Sequence, residues 1–251
     1  MLKVSVITVC FNAAQTIKDT INSVLLQTYK NIEYIIIDGA SKDATVSIVQ
    51  SYGNKITKFV SEKDKGIYDA MNKGINLATG DIVAILNSDD FYASNTILTD
   101  IVKVFVDNKV DAVYGDLDYV DQKDINKIVR RWRSSDFNPQ AFKRGWAPPH
   151  PAFFVRREVY AKYGLFYDDF KIAADYEFML RILYRYQLSA KHISKVLVMM
   201  RAGGVTNSNL SLTLLTQKEF YKAWKINNLK PNIFTLFTAK IFTKLKQLII
   251  K

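Results

Sequence analysis

Three apolar runs set the frame for this chain: residues 4–9, 34–37 and 82–86. None contains a charged residue, and the first keeps only Ser5 and Thr8 as polar members. Near-continuous apolar runs, rather than alternating ones, read as strands buried on both faces. The segments between them carry helical spacing. In 14–26 it is Ile17, Ile21, Val24 and Leu25; in 67–78 it is Ile67, Ala70, Met71, Gly74, Ile75 and Ala78. Shorter patterns predict a helix over 45–52 and a strand over 56–60. Strands alternating with helices predict an α/β fold, a mostly parallel central sheet flanked by helices.

In such sheets ligands bind beyond the carboxyl ends of the strands. Asp38, before Gly39, closes the second run, and Asn87-Ser88-Asp89-Asp90 closes the third. Three acids therefore share one rim. Two adjacent carboxylates at the mouth of a buried strand repel each other. A cation between them and a phosphate relieves that repulsion, and Mg²⁺ and Mn²⁺ accept one or two carboxylates plus phosphate oxygens. The plain alternatives are an acidic loop and, for Asp38, a tight turn with Gly39.

Further on, Ser94 is placed to cap a helix running to about residue 106. Residues 112–120 read as a strand, and 137–151, with Pro139, Pro148 and Pro149, as irregular chain. Helices are expected over 156–163, 174–186 and 210–224, a strand over 191–200, and a turn at Arg201-Ala202-Gly203-Gly204. Pro231 opens a last helix.

The single Cys10 leaves no disulfide framework and fits a reducing compartment. Met1-Leu2-Lys3 runs into the first strand without a leader pattern. No segment approaches the ~20 apolar residues of a spanning helix, so an integral membrane protein is not expected. The net charge of +11 is uneven: from residue 218 to 251 there are eight lysines and one acid, Glu219, which makes +7 of the total.

Several stretches match one family in order. They are Val4-Ser5-Val6-Ile7-Thr8-Val9-Cys10-Phe11-Asn12, Ser23-Val24-Leu25-Leu26-Gln27-Thr28-Tyr29, and Ile36-Ile37-Asp38-Gly39-Ala40-Ser41-Lys42-Asp43. Next come Asp64-Lys65-Gly66 through Asn72-Lys73-Gly74, Thr79-Gly80-Asp81, and Asn87-Ser88-Asp89-Asp90. Ala174-Asp175-Tyr176-Glu177 and Gly203-Gly204-Val205-Thr206 complete the set. Together they resemble family 2 glycosyltransferases with the GT-A fold, of the bacterial surface-polysaccharide type. The likeness covers about residues 1–206. It divides the chain into a catalytic domain, donor-binding to about residue 120 and acceptor-binding from 121, and a helical basic extension over 207–251.

The resemblance implies a nucleotide-diphosphate-sugar donor, a UDP-sugar first of all, a Mn²⁺ or Mg²⁺ ion, and transfer with inversion. Asp38 resembles the carboxylate that accepts from the N3–H of uracil, Asp89 the one that bonds the ribose, and Asp90 the metal ligand. Thr8, Asn12, Asp64, Asn72 and Arg201 lie in or beside the matching pieces and are further donor-binding candidates. Asp175 resembles the base that takes the acceptor's proton, although Ala174 stands where the family carries Glu. Glu177 is the rival.

Other readings stand beside these. Asp175 could be only a charge at a helix N-terminus. Gly203-Gly204 could be a hairpin turn rather than a loop over the diphosphate. His150, between Pro149 and Pro151, could meet metal or phosphate, or simply pack. Arg130, Arg131 and Arg133 around Trp132 read better as charge on an exposed edge strand than as an acceptor-phosphate site. Lys73 reads as a solvated helix residue.

Processive relatives carry Gln-x-x-Arg-Trp after the base. Ile128-Val129-Arg130-Arg131-Trp132 lacks the Gln and precedes Asp175, so single-sugar transfer is expected. A sugar-phosphate nucleotidyltransferase would carry a Gly-rich loop after the first strand, and Phe11-Asn12-Ala13-Ala14 has no Gly. A nucleic-acid-binding protein would spread Lys and Arg over its body with interleaved aromatics. The tail instead pairs lysines with an apolar face: Phe234, Phe237, Ile241, Leu245 and Leu248 against Lys240, Lys244 and Lys251. That pattern suits a membrane surface. The expectation is a cytoplasmic enzyme, peripheral at the inner face of the cell membrane. Its acceptor would be a lipid-diphosphate-linked saccharide in O-antigen or capsule assembly. The other reading packs the tail on the domain or against a second subunit in a homodimer.

Overall fold

A computed structural model of the chain describes residues 1–203 and 210–231. Strands β1 (Val4–Cys10), β2 (Ile32–Asp38), β3 (Lys58–Ser61) and β4 (Ile82–Ile85) alternate with helices α1 (Ile17–Leu25), α2 (Thr45–Gln50) and α3 (Ile67–Leu77). Every residue of β1 is buried, as its unbroken apolar run requires. Strands β2 and β4 flank β1, and β3 flanks β2, all parallel.

Beyond β4 the sheet turns mixed. Strand β5 (Phe91–Tyr92), α4 (Ile97–Asn108), β6 (Ala112–Val120), β7 (Ile128–Trp132), β8 (Phe153–Arg156) and α5 (Arg157–Tyr163) come first. Helix α6 (Ala174–Met179), β9 (Ala190–Arg201) and α7 (Leu210–Ile226) follow. Strand β8 inserts antiparallel between β4 and β6, β9 runs parallel along β6, and β5 adds antiparallel to β9. The order is β3-β2-β1-β4-β8-β6-β9-β5, with β7 also on β6.

Both faces of the sheet are covered. One core holds Ile7, Met71, Phe178 and Trp224, under α3, α6 and α7. The other holds Val6, Ile21, Ile101 and Phe105, under α1 and α4. Helix α3 lies close to β1 because residue 74 is Gly; a Cβ there would fall on Ile7 Cγ2. The buried face of α3 includes Tyr68, Met71 and Ile75, whereas Ile67, assigned to that face from its spacing, is 45% exposed.

Tertiary contacts moved several boundaries. The helix expected from Ser94 begins at Ile97, with Thr96 before it. Its first turn is capped from outside: Gln27 Oε1 accepts from the Leu98 N–H at 3.1 Å. The stretch just before it, Phe91–Tyr92, pairs with β9 instead. The helix expected over 174–186 leaves α geometry after Met179, and Leu180–Arg185 forms a π-helical segment. Helix α7, assigned by the sequence to an extension, places Ala223 and Trp224 in the first core.

Among the described residues no helix is long and apolar enough to cross a membrane. Gly204, Val205 and Thr206 of the glycine loop, and the amphipathic pattern over 232–251, lie outside the described residues.

Candidate active site

The carboxyl ends of β1, β2 and β4 share one rim, with Cys10 opposite Asp38 in the ladder. Asp90 is fully buried there. Thr20 Oγ1 donates to its backbone carbonyl at 2.7 Å, and Asn87 Nδ2 stands 3.4 Å from Oδ2. Among the described residues Asp90 Oδ1 has no hydrogen-bond partner, and neither has Asn87 Oδ1. Burial, then repulsion from Asp89, holds the Asp90 carboxyl well above the usual carboxylate range, with Asn87 and Arg201 opposing. Burial also raises Asp89, against the pull of Arg201. Arg201 ends β9; its Nη1 donates to the Asp89 carbonyl at 2.6 Å, and its Nη2 pairs with Asp19 of α1.

A buried carboxylate oxygen and a buried amide oxygen, both unpartnered, are acceptors that want a cation. They fit a hard divalent ion completed by phosphate oxygens and water. Among the described residues no group of three or more His, Cys, Asp or Glu gathers.

Asn12, Asp38 and Asp64 come together around the loop after β2. Asp38 is fully buried. Its Oδ2 accepts from the Ser41 N–H at 3.0 Å and the Ser61 hydroxyl at 2.7 Å, and its Oδ1 from the Ser41 hydroxyl. Both oxygens are engaged inside the protein, which favours the turn reading over a direct contact with a base. Asn12, at φ 50°, accepts from the Lys42 N–H at 2.8 Å. Asp64 accepts from the Gly66 N–H at 3.1 Å and lies so close to Gly39 that a Cβ there would stand 2.7 Å from Asp64 Oδ2.

Two expected donor ligands have partners inside the protein. Thr8 is fully buried, on the strand face of Val4 and Val6, with its hydroxyl 3.1 Å from that of Tyr34. Asn72 clamps one backbone unit: Nδ2 donates to the Phe166 carbonyl at 2.8 Å, and Oδ1 accepts from the Phe166 N–H at 3.0 Å. Thr8 is buried and Asn72 half-buried, and each has its hydrogen bonds within the protein.

Asp175 lies in the first turn of α6, with 28% of its side chain exposed. The Tyr68 hydroxyl donates to Oδ1 at 3.1 Å, and His150 Nδ1 stands 4.0 Å from Oδ2. Burial lowers His150, with Asp175 opposing, so the ring is neutral at pH 7. Its edge meets Phe166 at 5.9 Å. The metal role expected of His150 has no support in this neighbourhood, where its polar neighbour is Asp175. Glu177 is fully buried, paired with Arg181 at 3.0 Å and accepting from Asn227 at 2.8 Å, and has no open side toward an acceptor.

Arg130 and Arg131 sit on β7, paired to β6, and Arg133 follows it; two of the three have specific partners. Arg133 pairs with Asp118 at 2.5 Å and reaches Asp116 at 3.7 Å, and the Arg130 guanidinium lies 3.5 Å over Tyr119. Sequence reasoning missed these acids, and it missed Asp19 and Tyr68. A signal for Tyr68 existed: positions 68, 71 and 75 fall on one helical face.

Residues 5–164 match the family described as glycosyl transferase family 2. An uncharacterized glycosyltransferase of Rickettsia typhi is 32% identical over 226 residues, 88% of this chain and 69% of that protein. Among solved structures, S. aureus TarS 1–349 in complex with UDP-GlcNAc aligns with a TM-score of 0.70 and 18% identity, covering 90% of this chain. This chain spans 65% of that TarS segment and 43% of the longer TarS chain. A mannosyltransferase from Pyrobaculum calidifontis, in complex with GDP-Man and Mn²⁺, aligns with a TM-score of 0.67 and 20% identity, over 98% of this chain and 71% of that one. At these identities the two structures speak for the fold, which is of the GT-A type.

Proposed function

The chain belongs to glycosyl transferase family 2, and from that membership we propose that it moves one sugar from a nucleotide-diphosphate sugar to a saccharide acceptor, inverting the anomeric carbon. The donor is a UDP-sugar in this reading. The observation that carries it is Asp90: a fully buried carboxylate with an unpartnered oxygen, at the mouth of a parallel strand. The bound nucleotide sugars of the two structural neighbours support the donor class, and the Mn²⁺ of one supports a divalent ion.

Asp90, with the Asn87 amide oxygen, would hold Mn²⁺ or Mg²⁺, and Asp89 would bond the ribose. When bound, the ion offsets charge on the diphosphate leaving group. Arg201 brings a second positive charge to the same turn through the Asp89 carbonyl. Asn12, Asp38 and Asp64 shape the rim loop where the nucleoside lies. Asp175 takes the proton from the acceptor hydroxyl. Tyr68 fixes one of its oxygens, and neutral His150 keeps the other free of a competing cation.

The acceptor in this reading is a lipid-diphosphate-linked saccharide of O-antigen or capsule type. The basic amphipathic segment over 232–251 would hold the enzyme at the inner membrane surface. Mass spectrometry identifies the reaction: UDP-glucose, UDP-galactose, UDP-GlcNAc and GDP-mannose are each offered with a lipid-diphosphate-linked GlcNAc acceptor. One nucleotide sugar should yield a product one sugar larger, only with Mn²⁺ or Mg²⁺ present. Full turnover in excess chelator would sink the metal assignment, and repeated additions to one acceptor would sink single transfer.

A further inference from the structure

Helix α7 holds the segment that carries Asp175, and it does so from both sides. Glu219 is buried, 6% exposed. Its Oε1 accepts from the Lys171 N–H at 2.8 Å, and its Oε2 from the N–H groups of Ile172 and Ala173, each at 2.9 Å. Further along α7, Trp224 Nε1 donates to the Tyr176 hydroxyl at 2.9 Å, and just past its end Asn227 Nδ2 donates to Glu177 Oε1 at 2.8 Å. The Phe220 and Tyr176 rings stack at 4.0 Å. Asp175 therefore stands between an anchored 171–173 and an anchored 176–177.

The local sequence explains the need. Residues 171–173 precede α6 and lie in no helix or strand, so their amides need acceptors from elsewhere. A carboxylate taking three N–H groups is a strong, charge-assisted acceptor. It comes from a helix beyond the residues that match the family, which end at 164.

We infer that α7 is a positioning element for Asp175, and that Glu219 is the positioning residue through which it acts. The inference rests on Asp175 being the base. Glu219 touches no reacting atom; it sets where the first turn of α6 begins and hence where the Asp175 carboxylate points. Displacing a catalytic group by about 1 Å costs on the order of 10²-fold in rate.

The test uses the full chain with the donor and acceptor pair that the product screen yields. Glu219→Gln keeps the shape and exchanges one acceptor oxygen for a donor. It should lower kcat by roughly 10- to 100-fold while the donor KM and UDP affinity hold. In an Asp175→Asn background it should add almost nothing, because residues that act as a unit are not additive. Trp224→Phe, which keeps the ring and loses the bond to Tyr176, should shift kcat in the same direction by less, and serves if the first variant does not fold. If Glu219→Gln keeps full kcat while Asp175→Asn is inactive, the clamp is refuted and the base assignment stands. If Asp175→Asn keeps full turnover, the base assignment fails and the inference falls with it. Equal losses in kcat and donor affinity, or an undiminished Glu219→Gln effect in the Asp175→Asn background, would reduce α7 to a structural helix.

Discussion

A carboxylate buried with an unpartnered oxygen destabilises the fold that contains it. Asp90 is in that state, and its folded pKa is raised by burial and by Asp89. For a raised acid the neutral form is the one the fold favours. Stability is therefore fully present below the unfolded value and is lost as pH rises through the folded one. Without an ion, ionising Asp90 in the folded protein is a cost. Asp90→Asn should raise metal-free stability by roughly 1–3 kcal/mol in urea denaturation with chelator present. The same variant should lose Mn²⁺-dependent UDP binding in calorimetry. A variant that is less stable yet still binds would remove Asp90 from the site. Asp175→Asn belongs beside it. The amide keeps the shape and loses the base, so turnover should fall by about 10² to 10⁴ with UDP affinity nearly unchanged. If Glu177→Gln gave that loss and Asp175→Asn did not, the base has been misassigned, although Glu177 is fully buried and paired.

Helix α3 shows how an element serves both packing and chemistry. Gly74 lets it approach β1, and Tyr68, nearly two turns earlier, reaches Asp175 from the same helix. Gly74→Ala should push the helix away from Ile7 and destabilise the protein by about 1–3 kcal/mol, the usual range for overpacking. Turnover measured well below the melting temperature should fall more than UDP affinity does, because Tyr68 moves and the acidic turn does not. A stable Gly74→Ala protein with normal turnover would show that α3 has slack against β1. Apart from Ile67, which is exposed, the buried face of α3 was legible because helical periodicity is local. The start of α4 was not, since its cap comes from Gln27 at the end of a different helix.

Across the molecule, Glu33 ties the parallel half together. It is 2% exposed and accepts from Ser5 Oγ at 2.6 Å, the Thr79 N–H at 2.7 Å and Thr79 Oγ1 at 2.9 Å. Lys3 and Lys58 stand 3.4 and 3.5 Å away. Burial alone would raise its pKa, but the Ser5 and Thr79 hydrogen bonds, with Lys3, outweigh that and hold it at about 2, below the ordinary 4.5. For a lowered acid, stability is present above the unfolded value and is lost as pH falls through the folded one. The shift corresponds to at most about 3 kcal/mol. Glu33→Gln should therefore be less stable than the parent at pH 7 by roughly 1–3 kcal/mol, and the gap should close between pH 4.5 and about 2. A gap that persists unchanged at the acid end would mean that lost packing, not charge, accounts for the difference.

The amino-acid order by itself determined the strand runs, the helix faces, the acidic turn after β4, the edge position of the arginine-rich β7 and the family. Each follows from a local regularity: a two- or 3.6-residue period, a turn composition, or a short motif. Tertiary structure alone decided which polar groups are open and which are committed. Thr8, Asn72 and Asp38 read as ligands in sequence, yet they bond inward to Tyr34, Phe166, Ser41 and Ser61. Tyr68 lies 107 positions from Asp175, Arg201 lies 182 from Asp19, and Glu219 lies 48 from Lys171. No period or motif spans such separations. They exist only once the sheet has brought the carboxyl ends of its strands to one rim and α7 has packed against α6.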